Sequence, residues 1–552
     1  MQSLRMPGLN WPQDAAAGED IKLLSEANRM FKNGFWRWVL LGSVVLLGLL
    51  LRAHDVSRIF LWLDETDMFN EYVYGNHHKS LVDFALFTRD ATTVTWGWPG
   101  IIWIVSRVFG ATIGIARMPT VLLSAAGVLL LFLLVYNLLP RDFPGDRYWP
   151  ALFAALFASI SIIQLEYSQR AYPYGVAPCL ATLILLAHFQ ILRAASPGWK
   201  YSPRLLRAIA FYTAVTSLAL CIHASLALLP AISVALLSWS AARGLSRQTW
   251  AERWRILRPA IGAGAILVCA ALLNAKNPKY GFRIYLADYY GTLSPRAIPK
   301  LLLHAYDLLT YHLNVAYNPA LYWPERLNPI LLPLVLLCLL GWSMAALGKF
   351  GPQMRHLSLL GLAAVAAPAA LSLVRIFPFG GVRQSLFLSP FILIFAALGF
   401  YTLRVRPGMR VLGVAIACGY LVVWALNLPA FYAQRQPVYT PADLVAAWEQ
   451  NGRLPVYSRG AERELRYELR FRPEIPIEGL SDNSKPPYLL VATHNWIGDN
   501  RWFAGFPEYL ERSGYRATIV RQAPAWNLAT AWHSQSLYFP PNGLWIYKVT
   551  AR

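Results

Sequence analysis

The sequence predicts an α-helical polytopic membrane protein that carries a small extracytoplasmic α/β domain at its C-terminal end. Of its 552 residues, 56% are hydrophobic and only 14% are charged, whereas soluble proteins carry about 25% charged residues. Apolar runs close to the length that spans a bilayer recur from Phe35 to Leu428. Beyond residue 430 these runs stop and short strand-like segments replace them.

Eleven apolar segments are candidates for transmembrane helices by length and hydrophobicity, so we expect about eleven spans in total. Their bounds are 36–53, 117–138, 149–165, 172–193, 207–223, 225–241, 257–273, 328–347, 357–374, 384–402 and 409–427.

Basic residues concentrate in alternate loops, and this pattern predicts which loops lie on each side of the membrane. The loops near 141–147, 193–207, 243–255, 349–355 and 404–410 are rich in arginine and lysine, and the positive-inside rule places them in the cytoplasm. Eleven spans then put the N-terminus on the cytoplasmic side and the C-terminus on the outer side of the membrane. The net charge of +21 therefore indicates membrane topology and an anionic ligand, not nucleic acid.

One apolar stretch is left out of the spans. Residues 97–109 are too short to cross comfortably and contain Arg107, so we expect an amphipathic helix at the outer interface. If this helix spanned the bilayer, every later loop would change sides.

The topology divides the chain into three parts. Residues 1–35 form a cytoplasmic segment, and 36–429 form the transmembrane catalytic domain with outer loops 54–116 and 275–327. Residues 430–552 form a soluble periplasmic α/β domain, because helix-like and strand-like segments alternate there. The helix signals begin at 441 and cover 507–513, and the strand signals cover 454–457, 488–493, 517–520 and 544–549.

Acidic residues follow the first span in the segment WLDETD, residues 62–67. A carboxylate at the outer membrane face suits proton removal from an acceptor hydroxyl, and apolar neighbours raise the pKa of such a base. Asp64 is the candidate base. The alternative is a solvated loop whose acids balance Arg52 and Arg58.

A second motif, LEYSQRAYPY at 165–174, follows the third span on the same predicted side. Here the sequence resembles the GT-C membrane glycosyltransferases, in particular the protein O-mannosyltransferase and lipid A aminoarabinose transferase group. That group carries an Asp-Glu pair in the first outer loop, matched by Asp64 and Glu65. Arg170 stands where glutamate is usual and Tyr172 where arginine is usual. Matches to the second family motif are Tyr167, Ser168, Gln169, Ala171, Pro173 and Tyr174.

Four further landmarks occur in the order that the family shows. Residues 98–100 (WPG) precede the interfacial helix, and Arg117-Met-Pro119 is similar to an Arg-x-Pro start of the second span. His223 lies at an outer helix tip, and residues 381–390 (GVRQSLFLSP) resemble the family's arginine before a late span.

The resemblance implies an inverting transferase that moves one sugar from a polyprenyl-phosphate donor to a hydroxyl. Asp64 would be the base, and Glu65 would orient the acceptor or assist through a divalent metal; no cofactor and no metal site are assigned. Cationic side chains would hold the departing phosphate, and other polar side chains would contact donor or acceptor. The phosphate group comprises Arg170, Arg383, Arg375 and Lys279, and the donor or acceptor group comprises Tyr167, Gln169, Tyr172, His223 and Arg117.

Each of these assignments has a structural alternative. Arg375 and Arg383 are also typical of residues that anchor helix ends at the interface, and His223 is typical of an interfacial histidine. The basic and aromatic residues at 276–290 resemble a loop over the lipid-linked donor, or equally an aromatic belt.

Two other functions compete with this interpretation. An O-antigen-ligase-like enzyme would move a whole glycan block, and a transporter would place ionisable groups at mid-membrane depth. Expected partners are the lipid-linked donor, membrane lipids and an envelope lipid, glycan or protein acceptor. The sequence holds no Walker motif and no glycine-rich nucleotide fingerprint, which fits a donor that is not a nucleotide sugar.

Overall fold

The computed structural model describes residues 34–59, 65, 68–69, 95, 97–143, 146–195, 199–246, 248–273, 290, 297–314, 331–433, 441–458, 465–466, 469, 472, 474–481, 484–493, 511–512, 514–523 and 544–551. The helices are α1 Gly34–Ala53, α2 Gly97–Phe109, α3 Ile113–Leu138, α4 Tyr148–Ile160, α5 Ile162–Ser168, α6 Ala177–Ala194, α7 Pro203–Ile222, α8 Leu228–Leu245, α9 Trp250–Leu273, α10 Ala297–Leu313, α11 Leu332–Ala346, α12 Pro352–Leu373, α13 Ser389–Val405, α14 Arg410–Ala433 and α15 Pro441–Gln450.

The helical, multi-pass class predicted from the sequence is confirmed. Within the described residues, nine helical segments are long and apolar enough to cross a membrane, and α4 with α5 forms a tenth if the bent pair is one span. The shorter apolar helix α11 falls on the remaining predicted segment. Each of the eleven apolar segments therefore forms a helix.

The bend between α4 and α5 measures 56° and brings polar backbone atoms into the interior. Ser161 interrupts the helix with ψ of 113°, so carbonyl groups at the end of α4 lose their intrahelical donors. Arg52, at the end of α1, donates to Ala158 O at 2.9 Å and to Ser159 O at 3.2 Å. A guanidinium from another helix thus stabilises the break.

Helices α11 and α13 touch along their backbones. A Cβ atom on Gly341 would lie 1.9 Å from Phe395 O, and one on Gly399 would lie 1.9 Å from Leu337 O. Only glycine permits this approach, which is typical of close helix pairs in membranes. Helix α13 lies at the centre of the bundle, where the spanning window of Arg383–Val405 is 100% buried.

The short helix expected outside the bilayer occupies Gly97–Phe109, the predicted bounds. It buries Trp98 and Ile102 and exposes Val108 and Phe109. The indole of Trp98 donates to Ala171 O at 3.2 Å. The helix is therefore amphipathic and is held against the segment that carries the second sequence motif.

Three short 3-10 turns precede spanning helices and pack against one another. Pro173–Val176 leads into α6, Ala224–Ala227 into α8 and Arg383–Leu388 into α13. Pro173 begins the first of these turns. The His223 side chain caps the start of the second turn and accepts a hydrogen bond from Ser225 N at 3.1 Å. The three turns position the candidate site.

The C-terminal part contains a mixed sheet beside α15. Its strands are ordered β2-β1-β3-β5-β4, with β1 parallel to β2 and β3, and with β5 antiparallel to β3 and β4. The strands are β1 Val456–Ser458, β2 Ile477–Gly479, β3 Tyr488–Thr493, β4 Tyr515–Ala523 and β5 Leu544–Ala551. Four of these match predicted strands, β2 was not predicted, and most of the helix expected at 507–513 lies outside the described residues.

Candidate functional site

Glu65 is the centre of a buried ion cluster. Arg117 donates two parallel hydrogen bonds to the Glu65 carboxylate, from Nε to Oε1 at 2.9 Å and from Nη2 to Oε2 at 2.8 Å. Both side chains are fully buried. The remaining Arg117 nitrogen donates to Val56 O at 2.7 Å and Ile59 O at 2.9 Å. Paired guanidinium and carboxylate groups of this geometry are among the strongest hydrogen-bonded contacts in proteins.

Arg170 joins the same cluster from the second sequence motif. Its Nη1 donates to Glu65 Oε2 at 3.3 Å, and its Nη2 donates to Glu166 Oε1 at 3.0 Å. The backbone N–H of Ala171 donates to Glu65 Oε1 at 2.6 Å. Among the described residues, two carboxylates thus face two guanidinium groups, and residue 65 is fixed to the start of α3 and to the turn after α5.

The environment of Glu65 decides the charge of its carboxyl. Burial alone raises its pKa, but Arg117, Arg170 and the Ala171 N–H oppose this effect, and the pKa ends below the ordinary value of 4.5. Ionisation is favoured because the carboxylate accepts several hydrogen bonds from cations and backbone. Glu65 is therefore an anion in the folded protein at neutral pH.

A second cluster, which we call the arginine–aromatic cluster, comprises Tyr172, Tyr174, His223 and Arg383. The Arg383 guanidinium lies over the Tyr174 ring, 5.0 Å from its centroid. The rings of Tyr172 and His223 lie 5.0 and 4.6 Å from the same ring. A guanidinium stacked on an aromatic face is a favourable cation–π arrangement, and it places the Arg383 cation beside the three rings of this cluster.

The tautomer of His223 follows from its neighbours. Nδ1 accepts a hydrogen bond from Ser225 N at 3.1 Å. Burial and the nearby Arg383 charge lower the pKa of His223 to about 3. The imidazole is therefore neutral at pH 7 and carries its proton on Nε2, which makes that nitrogen a hydrogen-bond donor.

Helix α10 completes the same end of the bundle, and sequence reasoning missed it. Tyr311 OH donates to Tyr167 OH at 3.3 Å, and Asp307 Oδ2 accepts from Gly381 N at 2.7 Å. The amphipathic spacing of apolar and polar residues over 297–313 would have predicted this helix. It ties the motif residue Tyr167 to the loop that carries Arg383.

Two other predicted site residues, Gln169 and Arg375, lie outside both clusters. Gln169 is buried and donates from Nε2 to Leu51 O at 3.1 Å and His54 O at 2.8 Å. Arg375 is exposed, and its φ of 58° ends α12. Asp64 and Lys279 lie outside the described residues. Roles in sugar transfer for Gln169, Arg375 and the residues of both clusters stay predictions.

In the described part of the chain, no group of three or more histidine, cysteine, aspartate or glutamate side chains is placed to hold a metal ion. The sequence analysis allowed Glu65 to act through a divalent metal. The described hydrogen bonds to its carboxylate come from arginine side chains and a backbone N–H group.

No protein-family model and no curated protein sequence matches the chain. Among solved structures, it is similar to ArnT from Cupriavidus metallidurans bound to undecaprenyl phosphate, with 12% identity and a TM-score of 0.42 over 92% of this chain and 98% of the other. It is also similar to the archaeal oligosaccharyltransferase AglB from Archaeoglobus fulgidus in complex with an inhibitory peptide and a dolichol-phosphate. That match has 10% identity and a TM-score of 0.41 over 79% of this chain and 64% of the other.

Proposed function

We propose that the protein is a GT-C-type membrane glycosyltransferase that moves a single sugar from a polyprenyl-phosphate donor to an acceptor hydroxyl, with inversion. One observation carries the proposal. The segment Arg170–Tyr174 joins the ion cluster around Glu65 to the arginine–aromatic cluster around Arg383. Glu65, the described acid of the segment 62–67, and Arg383, the proposed phosphate-binding cation, are thus held at one end of the helix bundle.

Asp64 is the proposed base because it directly precedes an anchored residue. Consecutive Cα atoms lie about 3.8 Å apart, and Glu65 is immobilised by Arg117, Arg170 and Ala171. Asp64 would take the acceptor proton while the acceptor oxygen bonds to the anomeric carbon. The bond from that carbon to the phosphate oxygen breaks, and the phosphate leaves with the electron pair. A single displacement of this kind inverts the configuration.

The arginine–aromatic cluster would receive the phosphate. Arg383 supplies a delocalised cation, and the Nε2–H of neutral His223 supplies a donor that bears no charge. Both groups stabilise negative charge as it develops on the departing oxygen. Arg375 and Lys279 remain additional proposed contacts of the carrier.

The proposed location follows from the arginine and lysine bias of the loops. The site would face the outer side of a bacterial cytoplasmic membrane, with the N-terminus inside. Residues 430–552 would form a periplasmic domain that helps to recognise the acceptor or positions the outer loop.

The test compares cells that express the wild type, the Asp64→Asn variant or no copy of the gene. Mass spectrometry of their envelope lipids, glycans and proteins should find a product heavier by one sugar in the wild type alone. Membrane expression and retention of the carrier by Asp64→Asn should equal those of the wild type, because Asn preserves the size of the side chain.

Three outcomes would contradict the proposal. Normal product with Asp64→Asn removes this carboxylate from the mechanism. A mass difference of a multi-sugar block identifies a glycan-block transferase. No covalent product, together with solute flux in reconstituted vesicles, identifies a transporter.

A further inference from the structure

Gln384 lies next to the arginine–aromatic cluster. Its buried side-chain amide has no hydrogen-bond partner among the described residues. Its side chain is 3% exposed. Neither Nε2 nor Oε1 has a hydrogen-bond partner among the residues that the structure describes. An unsatisfied buried amide costs about 1–3 kcal/mol of stability, so its persistence in a tightly packed turn requires an explanation.

The residues on either side of Gln384 are engaged. Arg383 lies over Tyr174. Ser385 Oγ donates to Val382 O at 2.6 Å and lies 3.4 Å from His312 Nε2. In a 3-10 helix successive side chains point in three directions. Gln384 therefore points away from both contacts, toward the side of the turn that carries Phe387.

The Phe387 side of the turn faces the loop after α12. The Phe387 ring lies 6.5 Å from the Phe377 ring at an interplanar angle of 78°. That loop also carries Gly381, whose N–H is held by Asp307. Gln384 thus lies on the turn that carries Arg383, on the side of that turn that faces a loop fixed to α10.

From this placement we infer that Gln384 is a sugar-recognition residue, whose carboxamide binds hydroxyl groups of the donor's sugar while Arg383 holds the adjoining phosphate. The inference rests on the proposed function and deepens it. A carboxamide presents two donors and one acceptor. Phosphate oxygens at neutral pH would satisfy only the donors, whereas neighbouring sugar hydroxyls satisfy both ends.

The experiment is native mass spectrometry of the purified full-length protein, which reports the lipid carriers that remain bound. The protein is incubated with undecaprenyl phosphate and, separately, with a total lipid extract of membranes from the cells in which the gene is native. The wild type should bind sugar-free and sugar-bearing carriers. Gln384→Met should lower the ratio of sugar-bearing to sugar-free carrier about tenfold, the effect of losing about 1.4 kcal/mol.

Ser458→Ala is the matched control. Ser458 Oγ is also fully buried without a described partner, but it lies at the end of β1 in the C-terminal sheet. This variant should keep the wild-type ratio. Gln384→Leu provides a second apolar side chain of different shape in case methionine does not fit.

The thermal midpoint is read beside the bound lipids. Since no internal hydrogen bond is lost, Gln384→Met should melt at or above the wild-type temperature. An unchanged carrier ratio overturns the inference, and so does a clear fall in the midpoint, which would reveal an internal partner. A wild type that binds neither carrier overturns the proposed function itself, which is a different result.

Discussion

Arg117 and Arg52 are both completely buried, yet their partners differ in kind. Arg117 forms a two-point pair with the Glu65 carboxylate and donates to two carbonyl groups. The described hydrogen bonds of Arg52 all go to neutral oxygens. These acceptors are Ser124 Oγ, Gly48 O, Ala158 O, Ser159 O and Gln164 Oε1.

The two arginines illustrate two different structural roles of a buried positive charge. In the Glu65 cluster each charge is neutralised, so its main effect is to hold a loop in position. Arg52 instead binds the carbonyl end of α4, where the helix dipole supplies only a partial negative charge. The positive charge of Arg52 therefore has no carboxylate partner among the described residues.

The largest effect should come from Glu65→Gln. Glutamine keeps the shape but removes the charge, so Arg117 and Arg170 remain buried without their shared anion. Breaking a buried ion pair on one side costs about 3–5 kcal/mol. We expect a large fall in thermal midpoint and folded yield of the protein in nanodiscs. Wild-type stability of this variant would contradict a structural role for the Glu65 carboxylate.

A smaller effect is expected for Arg52→Met. This change deprives Ala158 and Ser159 carbonyls of donors but leaves no unpaired charge behind. The expected cost is about 1–3 kcal/mol, typical of unsatisfied buried polar groups. Melting of both variants under identical conditions tests the comparison directly. If Arg52→Met costs as much as Glu65→Gln, compensation of charge is not what distinguishes the two arginines.

Acid should affect the Glu65 cluster and spare Arg52, which does not titrate in this range. Because the folded pKa of Glu65 lies below 4.5, its stabilisation is present above that pH and is lost as the pH falls through the folded value. Buried His223, with its pKa lowered from 6.5 to about 3, also loses its contribution as the pH falls through that window.

The measurement is the unfolding midpoint of wild type and Glu65→Gln from pH 7 to pH 4. Both proteins should lose stability below pH 6.5 through His223. The difference between them should be constant down to about pH 4.5 and then shrink. A difference that grows on acidification would contradict the lowered pKa of Glu65.

The smallest effect is expected at an exposed arginine with two acidic partners. Arg472 contacts Glu449 and Glu474 in the C-terminal part, and its side chain is 40% exposed. Solvent and salt screen such pairs. Arg472→Gln should leave the thermal midpoint unchanged within error. A marked fall would mean that the number of ion pairs, and not their burial, determines the stability that they provide.

The helices were predictable because lipid imposes a simple rule of length and hydrophobicity. The eleven apolar segments coincide with helices in the described residues, with 149–165 forming a bent pair. The helix at 97–109 was predicted from its amphipathic pattern instead. The bend at Ser161 was not predictable, because its stabilising group, Arg52, comes from a helix more than a hundred residues earlier in the chain. Helix α10 was missed because residues 275–327 were assigned to an outer loop, although the spacing over 297–313 is that of an amphipathic helix.

Residue types at the site were predictable, whereas the contacts between them were not. The resemblance selected Glu65, Arg117 and Arg170, which the structure brings together, and their roles toward substrate stay predictions. Their mutual hydrogen bonds depend on three distant segments and cannot be read from spacing. Gln384 gave no sequence signal, since an amide in a polar turn is unremarkable until its burial is known.

The glycine contact between α11 and α13 makes one side of the proposed site rigid. At Gly341 and Gly399 the two backbones leave no room for sliding or tilting, and the turn bearing Arg383 and Gln384 stands at the end of α13. That turn is therefore rigid relative to α11. If it binds the lipid headgroup as proposed, any adjustment on binding has to come from the other segments around the site, and the turn fixes how deep the headgroup lies.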